Sequence, residues 1–122
     1  MWWVSEAVPL PRKVRALIER SAASRAIHVS SISTWEVALL VARGRLELTM
    51  GVANWIARSE ALPSLRFVPV DNRIALRAVG LPGPLHNDPA DRIIVATALD
   101  LGATLVTKDE KLRRYAHVET LW

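Results

Sequence analysis

A chain of 122 residues can bury one genuine core and is too short for two of ordinary size, so a single domain over residues 1–122 is expected. A hydrophobic fraction of 51% argues against disorder, no run approaches the roughly 18 apolar residues needed to cross a bilayer, and no signal-peptide pattern opens the chain. Without cysteine there is no disulfide framework and no thiolate metal site, which favours a soluble cytoplasmic protein, and the formal charge of +4 permits a polyanionic partner without proving one.

Met1-Trp2-Trp3-Val4-Ser5-Glu6 has no cap or turn before it and reads as the tail of another element. Pro9-Leu10-Pro11 then breaks the chain. Val14, Leu17 and Ile18 make one apolar stripe beside Arg12, Lys13, Arg15, Glu19 and Arg20, which predicts a helix over residues 11–22. Ile27-His28-Val29-Ser30 has the alternation and β-branched content of a short strand. Ser33 as N-cap with Glu36 three residues on fits a capping box, opening a helix that stops near Gly44. After the turn Arg45-Leu46-Glu47-Leu48, the residues Val52, Trp55, Ile56 and Ala57 predict an amphipathic helix ending near Leu62-Pro63. Phe67-Val68-Pro69-Val70 reads as a strand, with Pro69 placing it towards a sheet edge. Asp71 caps a helix carrying Ile74, Ala75, Leu76, Ala78 and Val79, and Leu81-Pro82-Gly83-Pro84 forms a loop.

The most specific chemistry lies between Leu85 and Glu110. Asp88 suits an N-cap, Pro89 the first helical position and Asp91 the first turn, so a helix is expected from Asp88 to Gly102. Its body, residues 93–99, is apolar nearly all round, which predicts packing against a sheet. Residues 103–107 read as a short buried strand, with Lys108 and Asp109 at its carboxyl end. A short helix over 111–115 and a strand over 118–121 complete the chain.

Strands alternating with helices through short connections predict an α/β fold with a parallel sheet covered on both faces. Residues just past the strand carboxyl ends of such a sheet share one edge, so Glu36, Asp88, Asp91 and Asp109 can converge there. Converging carboxylates repel one another unless a cation sits between them. Oxygen ligands without His or Cys suit Mg²⁺ or Mn²⁺, and the implied chemistry is phosphodiester hydrolysis. Each acid also has a plainer reading: Glu36 as the partner of Ser33, Asp88 as a cap, Asp91 as a complement to the helix dipole, Asp109 as cap of the last helix. Arg92 and Lys108 either bind substrate phosphate or offset local negative charge. His28, His86 and His117 have no second His at metal spacing. A small-molecule α/β binding protein is disfavoured because no Gly-rich phosphate loop is present.

Ser33-x-Trp35-Glu36 with Gly44-Arg45-Leu46, then Leu81-Pro82, His86-x-Asp88-Pro89-x-Asp91-Arg92, Ala96-x-Ala98 and Thr107-x-Asp109 resemble the PIN-domain ribonucleases, specifically the VapC-type toxins of bacterial toxin–antitoxin pairs. The resemblance runs through nearly the whole chain in order, and the pairing of the His86 to Arg92 motif with Thr107-x-Asp109 is its most specific part. It implies a three-layer α/β/α fold and a Mg²⁺-dependent endoribonuclease, usually a homodimer, blocked by an antitoxin whose C-terminal segment lies over the site. The catalytic and metal-site acids then fall on Glu36, Asp91 and Asp109, with Asp88 an outer or substrate-side carboxylate. Two departures stand out. Leu40 replaces a Lys that relatives often carry four residues after the Glu. The family's first strand, an apolar run ending in Asp that is central in the sheet between the strands corresponding to residues 27–30 and 103–107, would lie before Met1. The expectation is therefore an N-terminally incomplete domain, through a start site placed too late, a gap filled by another chain, or a degraded toxin, the first being favoured. The alternative function is a non-catalytic binding module that keeps antitoxin or RNA binding.

Overall fold

The structure, a computed structural model, describes residues 10–122, so the expectations attached to Met1 and the five residues after it lie outside the described residues. The chain is α/β and divides into two compact units, the first ending at Val68 and the second spanning Pro69–Trp122.

In the first unit the order is α1 (Arg12–Ala23), β1 (Ile27–Ser30), α2 (Ser31–Ala42), α3 (Val52–Glu60) and β2 (Leu65–Val68). The apolar stripe of α1 buries Val14 completely and half-buries Leu17 and Ile18, while Arg12, Lys13, Arg15 and Arg20 stay exposed. This is the amphipathic division expected of a surface helix. β1 and β2 pair in parallel from Ile27 opposite Leu65 to Ser30 opposite Val68. The expected strand at 67–70 is displaced to Leu65–Val68, because Pro69 has no N–H to continue a ladder and the pairing must end before it.

The expected capping box is corrected. β1 passes directly into α2 at Ser30, whose Oγ accepts from the Ile32 N–H, so Ser33 and Glu36 lie inside the helix. The first hydroxyl at the strand end takes the cap three residues early. At the other end Gly44 adopts φ +70°. The Arg45 N–H donates to Leu40 O at 2.9 Å and the Gly44 N–H to Val41 O at 3.1 Å, a Schellman closure.

The second unit runs α4 (Asn72–Val79), α5 (Pro89–Leu101), β3 (Leu105–Val106), α6 (Glu110–Arg113) and β4 (Thr120–Leu121). Asp71 caps α4 as expected, accepting from the Ile74 N–H at 2.9 Å. α5 packs most extensively along α4 rather than against strands, so its apolar body meets a helix where a sheet was expected. Ile74 and Ala78 of α4 and Val95, Ala96 and Ala98 of α5 are buried. Alanines allow close approach of two helix backbones, which explains why a short helix suffices to cover α5. Gly102, at φ +62°, ends α5.

β3 and β4 are parallel, with Leu105 opposite Thr120 and Val106 opposite Leu121. β3 is shorter than the expected 103–107 strand because β4 offers it only two residues to pair with. Among the described residues the parallel pairing therefore takes the form of two two-stranded sheets.

Candidate active site

Asp88 and Asp91 are brought together by the start of α5. The Asp88 carboxylate, at the N-cap, accepts the Asp91 N–H on Oδ1 at 3.0 Å, and Pro89 occupies the first turn where its missing donor costs nothing. Asp91, half-buried one turn in, holds a second contact that the sequence did not reveal. Its Oδ2 lies 2.8 Å from His86 Nε2. The imidazole comes from the loop before the helix, so His86 is a partner of Asp91 rather than a lone residue. Its spacing, five residues before the Asp and outside the helix, matches no helical rule and gave no signal.

Asp109 follows β3 through a turn fixed by Thr107. The buried Thr107 Oγ1 accepts the Asp109 N–H at 3.1 Å, and Asp109 Oδ1 in turn accepts the Lys111 N–H at 2.8 Å. The plainer reading of Asp109 as cap of the last helix is therefore realised, and so is that of Asp88. Capping engages only one oxygen of each. Among the described residues Oδ2 of Asp88, Oδ2 of Asp109 and Oδ1 of Asp91 accept no hydrogen bond. Lys108, beside Asp109, is exposed and makes no ion pair among the described residues.

Arg92 has its guanidinium engaged by backbone. Nε donates to Ala78 O at 2.9 Å, Nη1 to Leu85 O at 3.0 Å and Nη2 to Val79 O at 3.2 Å. It thus satisfies carbonyls at the C-terminus of α4, which a helix leaves unpaired, and ties them to the loop that leads to His86. The other side of that loop is held from the C-terminal segment. The buried Tyr115 hydroxyl donates to Pro82 O, and the Tyr115 ring lies 5.3 Å from that of His117. Gly83 has φ +70°, and a Cβ there would stand 3.0 Å from His117 Nε2, so neither its conformation nor its surroundings admit a side chain. Burial pushes the Tyr115 phenol above its ordinary value of 10.0, and the positive charge of Arg92 offsets only part of that rise.

Glu36 belongs to the first unit, half-buried in the second turn of α2. Among the described residues no three of the His, Asp and Glu side chains stand close enough together to hold a metal ion. The donor chemistry nevertheless fits a hard cation. Mg²⁺ is held by one or two carboxylates with water and substrate phosphate filling the remaining positions, and the uncommitted oxygens of Asp91 and Asp109 are of that kind. A histidine turned onto the opposite oxygen of Asp91 is the arrangement by which an outer group orients a metal-binding carboxylate.

The chain matches the PIN domain family over residues 1–118. It is 35% identical to Ribonuclease VapC22 of Mycobacterium tuberculosis across 99% of this chain and 91% of that protein. No solved structure matches it significantly.

Proposed function

We propose that this chain, which belongs to the PIN-domain family, is a VapC-type endoribonuclease that hydrolyses RNA phosphodiester bonds with a divalent cation, Mg²⁺ or Mn²⁺. The observation that carries the reading is the match to a ribonuclease along a stretch that includes Glu36, Asp88, Asp91 and Asp109. In this reading Glu36, Asp91 and Asp109 hold the ion, Asp88 lies at the substrate side, and Lys108 contacts phosphate. When bound, such an ion polarises phosphate oxygens, lowers the pKa of a water and stabilises the leaving 3′-oxygen.

The chain's own contribution is preorganisation. His86 fixes the orientation of Asp91, the Thr107 turn and the capping hydrogen bonds fix Asp109, and the α5 N-terminus presents Asp88 and Asp91 where a helix dipole tolerates negative charge. Arg92, expected at first to bind substrate, is assigned instead to holding the His86 loop. An antitoxin partner, a homodimer and a cytoplasmic location complete the proposal by family resemblance. Among the described residues no helix is long and apolar enough to cross a membrane.

Cleavage of a mixed RNA substrate with Mg²⁺, with EDTA, and with Asp91→Asn at saturating Mg²⁺ tests the reading. Cleavage is expected only in the first case. Equal cleavage by Asp91→Asn would remove Asp91 from the site, and no cleavage by the unaltered chain with either ion would favour the non-catalytic binding module.

A further inference from the structure

Positive charge is distributed unequally along this chain. Residues 10–68 carry nine Arg and Lys against four Glu, whereas residues 69–122 carry seven of each sign. In the second unit Arg73 and Arg77 pair with Asp100, Arg114 with Glu110, and Arg92 is bound by backbone carbonyls. None of the nine cations of the first unit is ion-paired among the described residues.

Four of those nine lie on α1. Arg12, Ala16 and Arg20 follow one another at intervals of four on a single face, with Lys13 alongside, opposite the buried Val14. Together with Pro11 they line an open depression of about 690 Å³. Ala16 keeps its floor shallow, so the three cations stand around a trough about 12 Å long, the rise of eight helical residues. Local stability does not explain the pattern. The first turn of α1 holds no acid, and Arg12 and Lys13 sit where the helix dipole disfavours positive charge. An anion on this face would relieve that conflict, and conflicts of this kind concentrate at functional surfaces.

We propose that Arg12, Lys13 and Arg20 on α1 form a docking surface for the sugar–phosphate backbone of RNA, separate from the residues assigned to cleavage; the identity of the polyanion rests on the ribonuclease reading. Backbone contacts need cations at suitable spacing and nothing more, which is what this trough offers. An acidic protein segment would also want apolar anchors, and Pro11 and Ala16 supply little apolar surface.

The test is fluorescence anisotropy of labelled oligouridine RNA at several salt concentrations in EDTA. It compares the unaltered chain, Arg12→Gln/Lys13→Gln/Arg20→Gln, the single change Ala16→Glu, and the control Arg43→Gln/Arg58→Gln/Arg66→Gln, with circular dichroism establishing that each is folded. The α1 triple variant is expected to bind at least about tenfold more weakly, with the slope of log affinity against log salt reduced by about 2, since each single-strand phosphate contact contributes about 0.7. Ala16→Glu is expected to weaken binding although it removes no cation, and it serves as the readout if the triple variant does not fold. Equal losses in the control triple, an unchanged slope with unchanged binding by Ala16→Glu, or tighter binding of poly-glutamate than of RNA with the same dependence on α1 would overturn the proposal. Mg²⁺-dependent cleavage combined with any of these results overturns the docking surface alone; absence of both binding and cleavage overturns the ribonuclease reading with it.

Discussion

His86 Nε2 and Asp91 Oδ2 lie 2.8 Å apart, joining the loop before α5 to the first turn of that helix. The contact holds one oxygen of the Asp91 carboxylate and leaves the other accessible, which is how a ligand is aimed without being consumed.

If orientation is what His86 supplies, His86→Ala should lower Mg²⁺ affinity or cleavage by roughly 10- to 100-fold, the usual cost of losing an outer hydrogen-bonding partner. His86→Gln, whose amide can still donate to Oδ2, should recover most of that loss. Single-turnover cleavage across a Mg²⁺ titration separates the two variants. Equal activity of His86→Ala and the unaltered chain would assign the pair to loop structure alone.

Asp88 and Asp109 have similar structural duties as helix caps but different proposed chemical ones, so Asn substitution separates the roles. Asn caps about as well as Asp, so both Asp88→Asn and Asp109→Asn should melt close to the unaltered chain, whereas Asp88→Ala should lose about 1 kcal/mol through the missing cap. Asp109→Asn should abolish metal-stimulated cleavage, and Asp88→Asn should reduce it less. Thermal unfolding and cleavage rates of the three variants check this. A larger rate loss at Asp88 would exchange the two assignments.

What the sequence made legible was mostly local. The caps at Asp71 and Asp88, the Gly102 stop and the stripe of α1 depend on residues within one or two turns, and they stand where the pattern placed them. Ser33 failed as a cap because an earlier hydroxyl, Ser30, stood at an abrupt strand–helix junction that propensity does not register. The contacts of His86 with Asp91, Arg92 with Ala78, and Tyr115 with Pro82 were invisible for a different reason: they involve loops or sequence separations with no periodic signature. Arg92 shows the consequence. Beside acids in a motif it reads as a phosphate ligand, yet its geometry is that of a carbonyl clamp.

Arg92 therefore gives a prediction that distinguishes clamp from ligand. Its guanidinium reaches Ala78 O, Val79 O and Leu85 O together, and the single ammonium of Lys cannot reproduce that fork. Arg92→Lys and Arg92→Gln should each lower stability by about 2 kcal/mol, the order expected when hydrogen bonds from a charged group to carbonyls are lost. Urea unfolding measures this directly. A variant of unchanged stability that only weakens RNA binding would restore Arg92 to the substrate.

Tyr115 is the only tyrosine in the chain, so its ionisation can be followed without ambiguity by absorbance near 295 nm. Burial disfavours the phenolate, and its hydroxyl donates to Pro82 O, a bond that the phenolate cannot make. Both effects keep the proton on in the folded chain. The sign follows from proton binding: above pH 10 the unfolded tyrosine has released its proton while the folded one retains it, so the folded state binds more protons and stability falls as pH rises. The contribution is fully present below pH 10, the ordinary tyrosine value, and is lost as pH climbs through the higher folded value. The native titration should have its midpoint above that of the urea-unfolded chain, and Tyr115→Phe should lose the part of the alkaline destabilisation that tyrosine carries. It should also loosen the Pro82 loop, seen as faster amide exchange at Leu85 and His86, whose positions that loop sets. A native midpoint at or below the unfolded one, or unchanged exchange in Tyr115→Phe, would mean that Arg92 and Gly83 fix the loop without the phenol.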